Sequence, residues 1–318
     1  MLVQSLFKYA MELDQTIDDD WLNPSRVSFI SDEFIPEHKL DEVTSLISRL
    51  FNIVDEEQLI KLIKSNITEL IAHSSDTDWK YKYIAYITVA EIVEQIQLSE
   101  IETLLKMIFA DLFNKNIKIQ YSCIYCIAEL ANEHNPDFQN TYHAEIVPNL
   151  IKLLNESTCL RIQLEICDAL QCFVEHLSSG DSAKYMESSL DALFKVFMKD
   201  ENECPPSLKE GILNVVEEFI DSSEESFKQY SDKCFTILLE YLSIILQKNI
   251  NRNLVGPLLQ VISMIGPLCP ELYKKHINTL ANTLIQINLN IPNFQENIAN
   301  YLMSTWEKFI PYLIEENK

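Results

Sequence analysis

Residues 78–82 read Asp-Trp-Lys-Tyr-Lys and begin a predicted helix whose apolar pattern returns several times along the chain. The set Tyr81, Ala85, Val89 and Ile92 reappears 38 residues later, and again after a further 43. Two more copies follow at a spacing of 46, and one copy comes earlier. The other sets are Val43, Ile47, Phe51 and Val54; Ile119, Cys123, Ile127 and Leu130; Ile162, Ile166, Leu170 and Phe173; Leu208, Ile212, Val216 and Phe219; Leu254, Leu258, Ile262 and Ile265. Recurrence at roughly 40 residues predicts an all-α HEAT-repeat α-solenoid, a right-handed superhelix of antiparallel helix pairs.

The composition agrees with helices joined by short polar turns. The chain has 318 residues, is 47% hydrophobic and contains only 4 glycines, and its β-branched runs lack the turn residues that hairpins need. Since a repeat array grows by addition of units, the whole of 1–318 is expected to be one array. No apolar stretch reaches the roughly 18 residues of a membrane span, so no membrane insertion is predicted.

The charge excludes one class of partner and favours another. The chain has 25 Lys and Arg residues against 48 Asp and Glu, a formal net charge of −23. Nucleic-acid binding needs a basic stripe that displaces counterions from phosphates, and the sequence has none. An acidic field attracts basic partners, although acidity can also serve solubility alone.

The sequence offers no catalytic or metal centre. Cys123 and Cys126 form a Cys-x-x-Cys, but they stand in repeat columns of small or apolar core residues, and no second ligand pair completes a zinc site. The sequence contains no His-Glu-x-x-His, no phosphate-binding glycine loop and no Gly-x-Ser-x-Gly. We therefore expect no enzyme activity, no cofactor and no metal.

The order of segments follows from the periodicity. A first helix over 2–14 has no partner before it, and residues 14–35 form a polar acidic loop that we expect to be mobile or extended. Gly256-Pro257 and Gly266-Pro267 predict a kinked or split helix near 251–267. Neither end looks capped, so a segment of a longer array is expected. The predicted repeats are 37–73, 78–114, 117–155, 158–199, 206–248, 251–288 and a partial one at 294–314.

The order of motifs in residues 1–115 resembles the importin-β (karyopherin-β) family. In that family an acidic loop ending in Asp-Trp precedes a helix pair, and the next repeat begins with an Asp-Trp-Lys/Arg-Tyr-Arg/Lys motif. Here these elements are Asp18-Asp19-Asp20-Trp21 and Asp78-Trp79-Lys80-Tyr81-Lys82. Asn135-Pro136-Asp137-Phe138-Gln139 with Tyr142-His143 looks most like the importin-5 (karyopherin beta-3) branch.

The resemblance implies a nuclear transport receptor that binds basic nuclear localisation signals on its concave face and releases cargo to Ran-GTP in the full-length receptor. It implies that the second helix of each pair lines that face, where carboxylates and an amide can bind lysine and peptide backbone. The cargo-binding candidates are Glu100, Asp111, Glu145, Asn149, Glu187, Asp191 and Glu240. Asp18, Asp19 and Asp20 are candidates for contact with Ran, although the short acidic run departs from the family pattern.

Two functional hypotheses follow. The first is the transport receptor, expected in the cytoplasm and nucleus including the nuclear pore, with Ran and basic cargo as partners and Phe-Gly nucleoporins as a further candidate. The second is a HEAT-repeat scaffold or adaptor of a kinase, phosphatase or cytoskeletal complex. The scaffold predicts contacts with folded domains through the turns, whereas the receptor predicts contacts with extended basic peptides.

Overall fold

The computed structural model describes residues 2–12, 19–22, 46–47, 49–51, 53–75, 78–289 and 298–316. Within these ranges the secondary structure consists of α-helices and short 3₁₀ helices, with no strand. The chain is a HEAT-repeat solenoid of antiparallel helix pairs. It divides into two compact units, Met1–His176 and Leu177–Lys318.

The first unit contains eight α-helices among its described residues. They are α1 (Leu2–Glu12), α2 (Asp19–Leu22), α3 (Glu56–His73), α4 (Lys80–Glu91), α5 (Glu102–Ala110), α6 (Ile117–Glu133), α7 (Asp137–Glu156) and α8 (Leu160–Glu175). Short 3₁₀ helices lie at Val93–Gln95, Leu98–Glu100 and Asp111–Phe113. Helix α6 packs between α4 and α8, and α7 packs against α8.

The second unit also contains eight α-helices in its described part. They are α9 (Ser179–Phe197), α10 (Pro206–Ser222), α11 (Glu224–Phe227), α12 (Ser231–Lys248), α13 (Val255–Leu268), α14 (Pro270–Lys275), α15 (Ile277–Leu289) and α16 (Ile298–Glu316). Helix α13 packs against α10, α12 and α16. Among the described helices none is long and apolar enough to span a bilayer.

The repeat columns form the core, as the sequence predicts. All four members of the sets that begin at Ile119, Ile162, Leu208 and Leu254 are buried. Cys123 and Cys126 are buried too, which confirms their structural role. The earlier sets fit less well, since Tyr81 is only half-buried and Val54 is exposed. Val43 lies outside the described residues.

A polar column next to this core joins consecutive helices. Gln120 donates from Nε2 to the Leu112 carbonyl oxygen at 2.9 Å, and the equivalent Gln163 donates to the Ser157 carbonyl oxygen at 3.1 Å. In the next repeat Lys209 stands at this position and donates to the carbonyl oxygens of Phe197 and Lys199. The side chain at the start of one helix thus satisfies carbonyls that the end of the previous helix leaves without a helical partner.

The segment near 251–267, predicted as a kinked or split helix, forms two consecutive elements. A 3₁₀ turn at Arg252–Leu254 leads into α13, which runs unbroken from Val255 to Leu268. Pro257 falls in the first turn of α13, where its missing N–H needs no helical acceptor, and Pro267 is the penultimate residue. Gly266 serves packing instead, because a Cβ there would lie 1.9 Å from the Tyr273 ring.

Candidate functional site

Six of the seven predicted cargo-binding residues reach solvent, among them Glu100 and Asp191. Glu145 on α7, Glu187 on α9 and Glu240 on α12 are exposed, and Asn149 on α7 is half-buried. Glu240 lines a groove of about 400 Å³ between α12 and α15, together with Ile244 and His276. These four side chains can reach a ligand without a change in the fold.

Two more predicted residues already have a lysine partner. Glu100 lies 3.0 Å from Lys64 Nζ and accepts a hydrogen bond from the Gln97 backbone N–H at 3.1 Å. The Lys64 contact, followed by the Gln97 bond, lowers the pKa of Glu100. Asp191 accepts a hydrogen bond from Lys233 Nζ at 2.6 Å. A basic ligand must compete with these lysines for both carboxylates.

The expectation that Asp111 faces solvent is wrong. Its side chain is only 14% exposed and lies 2.7 Å from Lys82 Nζ. It also accepts hydrogen bonds from the Tyr86 hydroxyl at 2.7 Å and from Asn114 Nδ2 at 3.0 Å. The helix pattern misplaced this residue because α5 ends at Ala110, and the following 3₁₀ turn changes the direction of the side chains.

The acidic segment contradicts the prediction of a mobile or extended loop where it is described. Asp18 lies outside the described residues, whereas Asp19 and Asp20 belong to α2, which ends at Leu22. Trp21 is 6% exposed, and its ring makes an edge contact with Tyr121 at 5.7 Å between centroids. Its carbonyl oxygen accepts a hydrogen bond from Arg161 Nε at 2.6 Å. The acidic composition concealed a docked element, since one buried tryptophan suffices to anchor a short segment.

A group of carboxylates that the sequence analysis missed lies on the first helices of the pairs in the first unit. At helical spacing, α6 carries Glu129 and Glu133, and α8 carries Glu165, Asp168 and Glu175. Glu91 at the end of α4 accepts a long hydrogen bond, 3.4 Å, from the Tyr125 hydroxyl of α6. We call this group the carboxylate face; its members are Glu91, Glu129, Glu133, Glu165, Asp168 and Glu175.

The carboxylates of this face are crowded. Burial, and then the charges of Glu91 and Glu133, raise the pKa of Glu129 to about 7. Burial raises the pKa of Glu165 well above its ordinary value, Asp168 and Glu129 add to the rise, and Arg161 opposes it. Burial raises the pKa of Asp168 to about 6, although water still reaches its side chain. A carboxyl that is accessible yet surrounded by protein on most sides lies in a recess, where its charge is poorly solvated.

The second unit carries a similar stripe on α10. Burial, and then Asp221 and Glu218, raise the pKa of Glu217 to about 7. Burial also raises the pKa of Glu210. The sequence does indicate that carboxylates recur on these helices. One repeat column, ten residues after Tyr81, Ile119 and Leu208, contains Glu91, Glu129 and Glu218. This column lies on first helices, whereas the cargo-binding candidates lie on or beside second helices.

The carboxylate face is continuous with an aromatic and basic patch at the start of α6 and α8. Tyr121 and Tyr125 stack with an interplanar angle of 3° and centroids 6.1 Å apart. Lys118 precedes these tyrosines on α6, and Arg161 precedes Glu165 by one helical turn on α8. Chemically, the acidic part suits ammonium and guanidinium groups, and the tyrosines can pack against the aliphatic stems of lysine.

Comparison with known proteins identifies the fold. No family model matches the sequence. The structure of Kap121p bound to RanGTP aligns with 98% of this chain at a TM-score of 0.78 and 22% sequence identity. The structures of Kap121p bound to Pho4p and to Nup53p each align with 99% of it at a TM-score of 0.77 and 21% identity.

The chain shares its fold with Kap121p. Kap121p is a karyopherin, and a further matching structure contains it bound to the SUMO protease Ulp1p. In each case the chain spans 29% of the length of the solved structure, less than a third. The likeness therefore covers one stretch of a longer array of helical repeats.

Proposed function

We propose that this chain is a segment of a nuclear transport receptor of the importin-β type, most similar to its importin-5 branch. It binds lysine-rich, extended nuclear localisation signals, and the full-length receptor releases them when Ran-GTP engages. The shared fold supports this proposal, as do the partners named for Kap121p, which include Pho4p, Nup53p and RanGTP. The proposal places the receptor in the cytoplasm, the nucleus and the nuclear pore.

The carboxylate face is the observation that carries the proposal. Burial raises the pKa values of Glu129, Glu165 and Asp168, and repulsion from neighbouring carboxylates adds to the rise for Glu129 and Glu165. A lysine ammonium placed among them relieves that repulsion and supplies the solvation that burial has removed. Such a face therefore gains more from a cation than separate exposed carboxylates, whose ion pairs contribute only about 0.2–1 kcal/mol each.

The second-helix residues form the alternative cargo surface. Glu145, Asn149, Glu187 and Glu240 are accessible, and Glu100 and Asp191 become available if a ligand displaces Lys64 and Lys233. Asp111 is the weakest candidate of this set, because its carboxylate already pairs with Lys82 and accepts a hydrogen bond from the Tyr86 hydroxyl. We favour the carboxylate face, because its acidic groups are the more crowded.

Two matched variants distinguish the surfaces. The first combines Glu129→Gln, Glu165→Gln and Asp168→Asn, and the second combines Glu145→Gln, Glu187→Gln and Asp191→Asn. Each removes three carboxyl groups, and measurement at pH 8, above the pKa values of Glu129 and Asp168, keeps the two changes in net charge comparable. Fluorescence anisotropy with a labelled lysine-rich peptide should show at least tenfold weaker binding for the first variant. The second should lose no more than the general electrostatic steering, which fades within about 8 Å at 0.15 M salt. The reverse ranking would assign cargo to the second helices.

The pH dependence provides an independent test of the same surface. Since the pKa of Glu129 is about 7 and that of Asp168 about 6, lowering the pH from 8 to 6 protonates most of Glu129 and part of Asp168 and weakens their attraction for lysine. Peptide affinity of the wild type should therefore fall over this interval. The first triple variant should show a nearly flat profile. A flat profile in the wild type would exclude the carboxylate face as the lysine site.

The scaffold hypothesis predicts different results. A scaffold for a kinase, phosphatase or cytoskeletal complex needs folded partners and has no reason to bind a free lysine-rich peptide. The absence of peptide binding by the wild type at low salt would therefore favour it. A pulldown with Ran-GTP, with Ran-GDP as its control, tests the receptor proposal separately from cargo.

A further inference from the structure

We infer that Trp21 is a positioning residue for basic-peptide binding: by covering Arg161, it limits how far this guanidinium neutralises the carboxylates that receive the ligand. The inference rests on the proposed function. Trp21 belongs to α2, which is far in sequence from α6 and α8, and its side chain carries no charge. Its effect on the ligand is therefore indirect.

The geometry of the Trp21 contact supports this role. Lys118 Nζ lies 4.1 Å from the centroid of the Trp21 ring, and Arg161 Cζ lies 4.9 Å from it. Arg161 is fixed in addition by its Nε–H, which donates to the Trp21 carbonyl oxygen at 2.6 Å. Lys118 is only 2% exposed, and its Nζ also lies 5.4 Å from the Tyr83 ring. One tryptophan thus covers two cations from two different helices.

Arg161 can neutralise the face if it is released. It precedes Glu165 by four residues and Asp168 by seven on α8, so the three share one side of the helix. Its backbone lies about 6 Å from Glu165 and about 10 Å from Asp168 along the axis, at 1.5 Å per residue. A guanidinium freed from Trp21 reaches the Glu165 carboxylate and competes there with a ligand lysine. In the docked arrangement the charge of Arg161 already opposes the raised pKa of Glu165, and the hydrogen bond to the Trp21 carbonyl oxygen restrains the guanidinium from moving closer.

The contact also determines how α2 is held. Tyr121 makes an edge contact with the Trp21 ring, and Cys159 Sγ lies 3.6 Å from the Leu22 carbonyl oxygen. Two of the three helices of the carboxylate face therefore contribute to one small site for α2, α6 through Tyr121 and α8 through Arg161. Replacement of Trp21 should affect this site while the buried repeat columns of α6 and α8 remain intact.

The test compares Trp21→Ala with Trp21→Phe in the full chain, using a labelled lysine-rich peptide at low salt. Trp21→Ala should weaken peptide binding by about five- to tenfold. Trp21→Phe, which retains an aromatic face for both cations, should lose less than twofold. Circular dichroism and thermal melting establish that both variants remain helical. If Trp21→Ala does not fold, Trp21→Leu replaces it, because leucine fills the site without offering a π face.

A second substitution tests the competition itself. In the Trp21→Ala background, Arg161→Gln removes the released guanidinium and should restore most of the affinity. Equal peptide affinity in the wild type and Trp21→Ala would overturn the inference, as would a failure of Arg161→Gln to restore binding. Absence of binding by the wild type would instead contradict the proposed function, so the two failures are distinguishable.

Discussion

Lys118 in the first unit and Lys209 in the second are both buried lysines at the start of a helix, but they are held in different ways. Lys209 is 1% exposed and donates to the carbonyl oxygens of Phe197 and Lys199, with the rings of Phe197 and Tyr241 within 5.0 Å of its Nζ. Lys118 is 2% exposed and lies over the rings of Trp21 and Tyr83. Lys209 is covered by its own and the neighbouring helices, whereas Lys118 depends in part on the short segment α2.

The segment that covers a buried lysine decides whether that lysine can become exposed while the repeats stay folded. Lys209 occupies the repeat column of Gln120 and Gln163, and its contacts come with the repeat itself. Burial lowers the pKa of Lys209, a cost that the helix-end carbonyls offset. Because Lys118 is covered in part by Trp21 of the short helix α2, its exposure can change without unfolding of the repeats.

The largest change in the free energy of unfolding is expected for Lys209, whose contacts belong to the repeat. Lys209→Ala leaves a cavity and removes the donor of two helix-end carbonyls, so it should reduce the free energy of unfolding by about 3 kcal/mol. Lys209→Gln should lose only about 1 kcal/mol, because glutamine makes the corresponding bond at Gln163. Urea denaturation measures both variants. Equal losses would show that charge, not hydrogen bonding, holds this position.

A double-mutant cycle between Trp21 and Lys118 addresses the other cation. A cation–π contact that is shielded from water contributes about 1–2 kcal/mol, and this cycle should give a coupling energy of about 1 kcal/mol. A cycle between Lys118 and the exposed Glu145 serves as the control and should give no coupling. A coupling energy near zero for the first pair would mean that Trp21 is held by Arg161 and Tyr121 alone.

Residue periodicity accounts for what could be predicted from the sequence. Ile127 and Leu170 are fully buried, as their repeat columns predict, since a stacked array buries the same positions in each unit. Trp21 could not be placed in this way, because α2 lies outside the periodic pattern and its burial depends on Lys118 and Arg161, remote in sequence. Asp111 was misplaced because the pattern cannot locate the residue at which α5 ends.

The carboxylate face could not be predicted from the sequence for a different reason. Glu129 and Asp168 are ordinary acidic residues on amphipathic helices, and the burial of both and the approach of Glu91 to Glu129 exist only after the helices pack together. Periodicity gives the side of a helix on which a residue lies but not the distance to carboxylates of the next repeat. The repeat column of Glu91, Glu129 and Glu218 was the available signal.

The smallest expected effect is a pH-dependent gain in stability from Glu129→Gln, in the same unit as Lys118. The pKa of Glu129 in the folded protein is about 7, above its ordinary value of 4.5, so the folded state binds the proton more tightly than the unfolded chain. The ionised carboxylate therefore costs stability above pH 7, and this cost disappears as the pH falls toward 4.5. After a discount for solvent screening, Glu129→Gln should stabilise the protein by about 1 kcal/mol at pH 8 and by almost nothing at pH 4.5.

Glu145→Gln, at an exposed position on α7, is the control and should change the melting temperature little at either pH. If Glu129→Gln stabilised the protein equally at both pH values, the gain would come from the neutral amide itself, and the crowding of the carboxylate face would not be the cause.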